Sequence, residues 1–318
     1  MTTITDNINA FVKYKHHLGI QYETGERHIR KFETFMLENY PGRNIPDKEC
    51  LDRFLQNYEG QSGGLYNVLA VVREFSRYLH MIGHAEAYVV PSKQMPKLEP
   101  EPPYFFEPGE ITDFFQAADM IYANCPKKAD KSLVYPAMFR LIHCCGLRPS
   151  EGRTLLVENT HWDDCYFDVM QSKGPKSRRI YVNDEVAEYM KRYDMLISEI
   201  HGDRIYFFPN EAKTAYTRKQ LDDTFKAIWK SAYPGFTGSR HPRPYDFRHY
   251  FAWTTINGWV REGKDVNVML PYLSRYMGHN CIKHTLYYFR FVPDFYGDFE
   301  KITSELNDRV PEVEYETE

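Results

Sequence analysis

The chain has 318 residues and a mass of 37.7 kDa, which favours two domains over one. Hydrophobic residues make up 42% and charged residues 26%, a balance that excludes a disordered chain, and no apolar run reaches the roughly 20 residues that cross a bilayer. The net charge of −4 argues against a nucleic-acid partner, but the last 21 residues hold eight acids against Lys301 and Arg309, so that residues 1–297 alone carry +2.

The N-terminal part of the chain predicts four helices within residues 8–90. Apolar residues recur at helical spacing in this part, and the fourth helix has the clearest stripe: Leu65, Val68, Leu69, Val72, Phe75 and Leu79. Residues 91–103 then contain five prolines, which predict a semi-rigid linker over residues 91–104. Residues 1–90 are therefore expected to form an all-helical domain.

The part after the linker has a mixed pattern. Helices are predicted near 108–122, 131–145, 184–200, 217–232, 244–258 and 266–277. Residues 157–183 contain short β-prone runs that are interrupted by turn residues, which predicts a small antiparallel sheet. The expected fold class is mostly α with a small antiparallel β-sheet (α+β).

Two arginines lie at positions that call for an explanation. In GLRPSEGRTLL, Gly146 ends one helix, Ser150 can cap the next, and Arg148 lies in the turn between them. In PRPYDFRHYFA, Arg248 lies about one turn inside a helix, next to the apolar Phe247. Taken singly, the first is an ordinary arginine at a helix end, and the second is equally well explained by an internal carboxylate.

A third segment, YMGHNCIKHTLYYFRF, places a histidine and a tyrosine at a defined spacing. Gly278 closes a helix, His279 follows in the turn, and Tyr288 comes nine residues after the histidine. Neither residue carries information alone, because the chain has 25 tyrosines and a single histidine is more often structural.

Together these segments resemble the tyrosine recombinase (phage integrase) family. The resemblance covers residues 105–290 and rests on four boxes in the family's order: GLRPSE, SKGPKSRR, YDFRH and GHNCIKHTLYY. It implies a core-DNA-binding domain at 1–90 and a catalytic domain at 105–293 that cleaves and rejoins DNA through a covalent 3′-phosphotyrosine, without metal, cofactor or ATP. The sequence YYFRFVPDFYGDFEKITSELN is similar to integrases and transposases of mobile elements.

The resemblance also implies roles for individual residues. Arg148 and Arg248 would clamp the phosphate, since guanidinium groups stay charged and offer forked donors. His279 would donate a further hydrogen bond to the phosphate, and Tyr288 would be the nucleophile. Tyr287 is the rival nucleophile, but adjacent helical positions point about 100° apart, and the family's spacing selects Tyr288.

Two further roles have strong alternatives. Lys173 stands where the family places its general acid, yet residues 171–181 hold four cations and no acid, which is also typical of a basic turn that grips DNA. Glu151 matches the family's acidic position and could orient an arginine or histidine, but an ordinary first-turn helix acid explains it equally well.

One position departs from the family's pattern. Three residues before the second arginine the family has histidine or lysine, whereas this chain has Tyr245. A phenol with a pKa near 10 can contact a phosphate but is a poor base at neutral pH. Tyr245 is therefore predicted to contact the phosphate, and His249 is expected to be structural and to point elsewhere on its helix.

Contacts with double-stranded DNA outside the catalytic centre are expected from basic residues. The candidates are Lys13, Lys15, Arg27, Arg30, Lys31, Arg73, Arg77, Lys176, Arg178 and Arg179. Residues 294–318 are expected to form a C-terminal helix and acidic tail that is exchanged between protomers, which the resemblance links to a tetramer on DNA. Accessory proteins of the same mobile element are the other partners that it suggests.

Other interpretations remain open at this point. A type IB topoisomerase-like enzyme or a resolvase would use the same chemistry, and a DNA-binding accessory protein could keep the fold without turnover. A metal-dependent nuclease would need clustered carboxylates, and Asp163-Asp164 and Asp222-Asp223 instead resemble turn or surface pairs. The six cysteines form no ligand-like pattern and are expected to be reduced, buried thiols of a cytoplasmic protein.

Overall fold

The computed structural model describes residues 2–20, 22–58, 62–95, 102–123, 129–170, 177–238, 240–279 and 281–288. The chain divides into two compact units, Met1–Glu101 and Pro102–Glu318. Three sets of predicted features lie outside the described residues: the centre of the proline-rich segment, the lysines Lys173 and Lys176, and the C-terminal segment 294–318.

The first unit contains the four predicted helices. Their bounds are α1 Ile4–His17, α2 Glu23–Asn39, α3 Lys48–Gln56 and α4 Ser62–Met81. Side-chain caps fix two of the starts: Thr3 and Asp6 form a capping box before α1, and the Asp47 carboxylate accepts from the backbone N–H of Cys50 at α3. The predicted stripe of α4 is in the core, where Val72, Phe75 and Leu79 are fully buried.

The second unit is helical with one small sheet, as predicted. Its helices are α5 Pro108–Met120, α6 Ala129–Cys145, α7 Pro149–Arg153, α8 Asp184–His201, α9 Arg218–Ala232, α10 Asp246–Arg261, α11 Val266–Tyr276 and α12 Lys283–Leu286. The strands β1 Thr160–His161, β2 Tyr166–Val169 and β3 Arg178–Tyr181 pair antiparallel in the order β1-β2-β3. Phe167 of β2 lies opposite Ile180 of β3, and both side chains are buried.

Aromatic side chains from four helices converge in the core of this unit. The ring of Phe114 on α5 lies 4.6 Å from that of Phe225 on α9 and 5.2 Å from that of Phe247 on α10, while Phe139 on α6 lies 5.5 Å from Phe225. Because Phe247 is locked into this cluster, the rotation of α10 about its axis is fixed. The side of the helix from which its neighbour Arg248 projects is fixed with it.

Two local expectations were wrong. Helix α7 begins at Pro149 with Arg148 at the N-cap, so Ser150 is inside the helix and does not cap it. Proline suits the first helical position, because its fixed φ is helical and the amide it lacks would have no intrahelical partner. Cys144 and Cys281 are exposed and not buried, whereas Cys50 and Cys145 are buried.

None of the helices in the described part of the chain combines the length and the apolar character needed to cross a bilayer.

Candidate active site

Two glycine-terminated helices bring the predicted residues together. Gly146 after α6 and Gly278 after α11 both have left-handed backbones, with φ of 59° and 65°. The amide of Leu147 bonds the Ile142 carbonyl, and that of His279 bonds the Ser274 carbonyl, which closes each helix end. A Cβ on Gly146 would lie 2.4 Å from the ring of Phe251, so this position accepts only glycine without rearrangement.

Arg248 is the centre of the site and is fully buried. Its Nη1 donates to the carbonyl of Gly146 at 2.7 Å, and its Nη2 donates to the carbonyl of Met277 at 2.5 Å. The Nε–H is also buried and has no hydrogen-bond partner among the described residues. An unpaired buried donor is costly in a folded protein.

Arg148 is held beside it by a carboxylate and a carbonyl. Its Nη1 donates to Glu151 at 2.6 Å, and its Nη2 donates to the carbonyl of Gly278 at 2.8 Å. The two arginines therefore bind the adjacent carbonyls of Met277 and Gly278. The positive charge of Arg148 also contributes, after burial, to a lowered pKa of Arg248.

Glu151 is buried and joins two arginines. Arg178 of β3 donates to its two carboxylate oxygens at 3.0 and 2.7 Å, and Arg148 donates to it from the other side. Burial alone would raise the pKa of Glu151, but the hydrogen bonds and charges of Arg178 and Arg148 outweigh it and lower the pKa to about 2. The arrangement agrees with the predicted orienting role, which stays a proposal.

Arg178 and Arg179, which were both predicted to contact DNA, have different surroundings in the structure. The side chain of Arg178 is only 8% exposed, and its Nε also donates to the carbonyl of Tyr276 at 2.7 Å, so it is an internal residue that ties the sheet to the site. Arg179 is exposed and paired with Asp168 through two bonds of 3.0 Å. Successive residues of a strand face opposite sides of the sheet, which explains the difference between these neighbours.

His279 lies between the buried arginine and the helix that precedes Tyr288. Its Nε2 is 3.1 Å from Nη2 of Arg248, and its Nδ1 is 2.8 Å from the hydroxyl of Thr285. Burial, with the charges of Arg248 and Arg148, lowers the pKa of His279 to about 3, so the imidazole is neutral at neutral pH. Since a guanidinium only donates, Nε2 of His279 accepts here and carries no proton in this structure.

Tyr288 is buried and packs against His279. Their rings are nearly parallel, at 20°, with centroids 6.3 Å apart. Burial raises the pKa of Tyr288 to about 12, and the nearby charge of Arg248 opposes that rise. Tyr287 is half-buried and lies edge-on to Tyr288, with its ring 6.2 Å from that of His249.

Tyr245 and His249 share one side of the start of α10. Tyr245 is 40% exposed, and its ring lies 5.1 Å from that of His249. The His249 ring is in turn 5.5 Å from that of Tyr288, so the expectation that it points elsewhere was wrong. Positions 245 and 249 are four apart and lie on the same helix face, a spacing that the sequence already contained.

The predicted DNA contacts of the first unit separate into two groups. Four side chains are exposed: Lys13, Arg27, Lys31 and Arg77. The other three are occupied within the unit: Lys15 pairs with Glu74 at 3.0 Å, and Arg30 pairs with Glu33 at 2.9 Å. Arg73 on α4 donates to the Val90 carbonyl at 2.7 Å, and this bond holds the segment around Val90 against α4.

The Glu151 network leads to a prediction about stability. Glu151→Gln should lower the free energy of unfolding at pH 7 by about 3 kcal/mol, because it leaves Arg178 buried without a counter-charge. The folded pKa of Glu151 lies below its ordinary value of 4.5, so its stabilisation is complete above that pH and is lost as the pH falls towards 2. Urea unfolding at pH 7 and pH 3 should show the difference between wild type and variant shrinking to about 1 kcal/mol.

The matched control is the exposed pair on the same sheet. Asp168→Asn removes the partner of Arg179, and we expect it to cost less than about 1 kcal/mol at either pH. Equal losses for the two variants, or a Glu151→Gln difference that stays constant down to pH 3, would contradict the assigned network.

Comparisons with known proteins agree with this arrangement. The model of the phage integrase family matches residues 110–292, more than half of the chain. A Sinorhizobium fredii protein named integrase/recombinase y4rB is 24% identical over 300 residues, which cover 92% of this chain and 95% of that protein.

Two solved structures show the same fold. One is the XerH site-specific recombinase bound to palindromic difH substrate in a post-cleavage complex, with a TM-score of 0.64, 16% identity, and coverage of 96% of this chain and 86% of that chain. The other is a lambda integrase tetramer bound to a Holliday junction, with a TM-score of 0.62, 16% identity, and coverage of 88% and 78%. On the family match, the chain belongs to the phage integrase family, the tyrosine recombinases, and is a tyrosine-type site-specific DNA recombinase.

Proposed function

We propose that this recombinase cuts and rejoins DNA through a covalent intermediate on Tyr288. The phenolic oxygen attacks the phosphorus, the bond from phosphorus to the 5′ oxygen breaks, and the 5′-hydroxyl leaves with a proton. A 5′-hydroxyl of a second strand then attacks the 3′-phosphotyrosine, and Tyr288 departs with a proton. Because each step exchanges one phosphoester bond for another, the cycle needs no ATP.

The observation that carries this proposal is the pair of arginines beside a buried tyrosine. Arg148 and Arg248 bind adjacent carbonyls of the turn that leads into His279, and the ring of Tyr288 packs on that histidine. In phosphoryl transfer the negative charge spreads over the non-bridging oxygens, and fixed cations stabilise it without a metal ion. The buried Nε–H of Arg248 is available for one of these oxygens.

Two further roles follow from the family resemblance. Lys173, which lies outside the described residues, is proposed as the general acid that protonates the departing 5′ oxygen. Tyr245 is proposed as a phosphate contact, because it is exposed at the start of the helix that carries Arg248. Neither role requires a metal or a cofactor.

The proposed partners are double-stranded DNA and further copies of the chain. The lambda integrase structure is a tetramer on a Holliday junction, and the same assembly is proposed here during strand exchange. The exposed cations Lys13, Arg27, Lys31 and Arg77 would contact the DNA backbone, and the tail 294–318 would link protomers. Accessory proteins of the same mobile element stay a proposal from the resemblance.

The test is covalent capture in the absence of divalent ions. The wild-type protein is incubated in EDTA with a pool of nicked duplexes of randomised core sequence, and products are separated on a denaturing gel. We expect a protein–DNA adduct in which DNA is joined by its 3′ phosphate, and sequencing the captured DNA gives the preferred site. An adduct that forms only with Mg²⁺, or no adduct at any duplex concentration, would contradict the proposal.

A further inference from the structure

Thr285 is a fully buried polar residue that the proposed reaction leaves without a role. Its hydroxyl lies 2.8 Å from Nδ1 of His279, and it stands three residues before Tyr288. In the part of the chain that the structure describes, this hydroxyl is the partner of Nδ1, while the other ring nitrogen faces Arg248.

The contacts of His279 define its tautomer in the structure. The guanidinium of Arg248 can only donate, so Nε2 accepts at 3.1 Å and carries no proton. The imidazole is neutral, so its proton is on Nδ1, and Nδ1–H donates to the hydroxyl of Thr285.

Donation from Nε2 of His279 to a phosphate bound by both arginines needs the opposite arrangement. To donate to a phosphate oxygen, Nε2 must carry the proton, and a neutral imidazole then has a bare Nδ1. A hydroxyl satisfies either state, because it accepts from Nδ1–H and, after rotation, donates to a bare Nδ1. Backbone carbonyls and carboxylates only accept, so they would hold the histidine in the first state.

We propose that Thr285 is a positioning residue whose hydroxyl holds His279 in both neutral tautomers and lets it change from an acceptor for Arg248 to a donor for the bound phosphate. One proton leaves Nδ1 to water and one arrives at Nε2 from water, so the charge of the site does not change. The inference rests on the proposed function, because only a phosphate in the arginine pair calls for the second tautomer. It also couples His279 to the segment that ends in Tyr288.

Two substitutions separate the effect of the Thr285 hydroxyl from the effect of the side-chain volume. Thr285→Val keeps the shape and removes the hydroxyl, whereas Thr285→Ser keeps the hydroxyl and removes a methyl group. By analogy with the hydrogen-bond partners of metal-bound histidines, we expect the valine variant to form the covalent adduct about 10–100-fold more slowly. The serine variant should form the adduct at a rate within about 3-fold of wild type. This is expected even though the loss of its methyl group removes more packing contacts than the valine substitution does. DNA affinity and the midpoint of thermal unfolding are measured for both variants.

A packing role predicts the reverse order, so a slow serine variant with a normal valine variant overturns the proposal. Equal slowing of both, or no slowing of either, also overturns it. The comparison uses rates relative to wild type, and absence of the wild-type adduct would instead count against the proposed function.

A second readout does not depend on catalysis. The ¹⁵N shifts of histidine-labelled protein report the tautomer, and a His279→Gln spectrum identifies the signal. We expect the proton on Nδ1 in the DNA-free protein and on Nε2 in the complex of the Tyr288→Phe variant with the captured duplex, or with inorganic phosphate. The same tautomer in both states, or a doubly protonated ring in the complex, would contradict the proposal.

Discussion

Tyr288→Phe is expected to abolish the covalent protein–DNA adduct while leaving DNA binding intact. The substitution removes the attacking oxygen and keeps the ring, which contacts His279 and His249 and belongs to a buried hydrophobic cluster. The measurement is the denaturing-gel assay with the duplex captured by wild-type protein, together with the affinity for the same duplex. Rates below one thousandth of the wild-type rate, by analogy with other deleted nucleophiles, are the expected result.

The matched control is the neighbouring tyrosine. Tyr287→Phe also deletes one hydroxyl from the same turn, and its ring is further from His249 than that of Tyr288. We expect this variant to form the adduct at close to the wild-type rate. Loss of the adduct in Tyr287→Phe alone would transfer the role of nucleophile to that residue, and loss in both would leave the assignment to Tyr288 without support.

His249 is a poor candidate for the base that removes the proton of Tyr288. Burial, with the charge of Arg248 opposing the attraction of Asp246, lowers the pKa of His249 to about 4, against about 12 for Tyr288. His249 is therefore a much weaker base than the Tyr288 phenolate, which disfavours direct proton transfer between the two side chains. In the proposed reaction the proton of Tyr288 would pass to solvent or to an oxygen of the bound phosphate.

Much of the fold was predictable because each helix has its own local signal. The stripe that ends in Phe75 and Leu79 is buried as the 3.6-residue period requires, and the β-prone runs near Phe167 and Ile180 pair as a small sheet. The start of α7 was not predicted, since Ser150 and Pro149 are both acceptable starting signals and only the backbone decides between them.

The candidate site was predictable to the level of residue types but not of contacts. Gly146 and Gly278 mark the helix ends in the sequence, and both have the left-handed backbone that this requires. The pairing of Arg178 with Glu151, 27 residues away, depends on how the sheet packs against α7, which no local pattern encodes. The contact of Thr285 with His279 was within reach of sequence reasoning, since the two residues are only six positions apart in the chain.

Arg248→Lys is expected to lower the rate of adduct formation by about 10²–10³-fold. An ammonium keeps the charge but cannot donate at once to the Gly146 carbonyl, the Met277 carbonyl and the phosphate in a fixed plane. Losing one preorganised donor to the transition state typically costs about 2.7–4 kcal/mol in the barrier, which corresponds to this range. Single-turnover rates at saturating duplex measure the effect on the chemical step separately from binding.

The control for this variant is an arginine that makes a similar fork away from the site. Arg140 donates to both carboxylate oxygens of Asp119 at 2.7 Å, and its side chain is 24% exposed. Arg140→Lys tests the general cost of replacing a forked cation in this unit, and we expect it to leave the rate within about 2-fold of wild type, since it has no part in stabilising the transition state. Arg248→Lys also loses the contacts with the Gly146 and Met277 carbonyls and is therefore expected to be less stable. For this reason thermal unfolding is measured first, and the rates are compared at a temperature at which both variants are folded. At that temperature, an Arg248→Lys rate within 5-fold of the Arg140→Lys rate would show that the buried guanidinium serves the fold and not the phosphate.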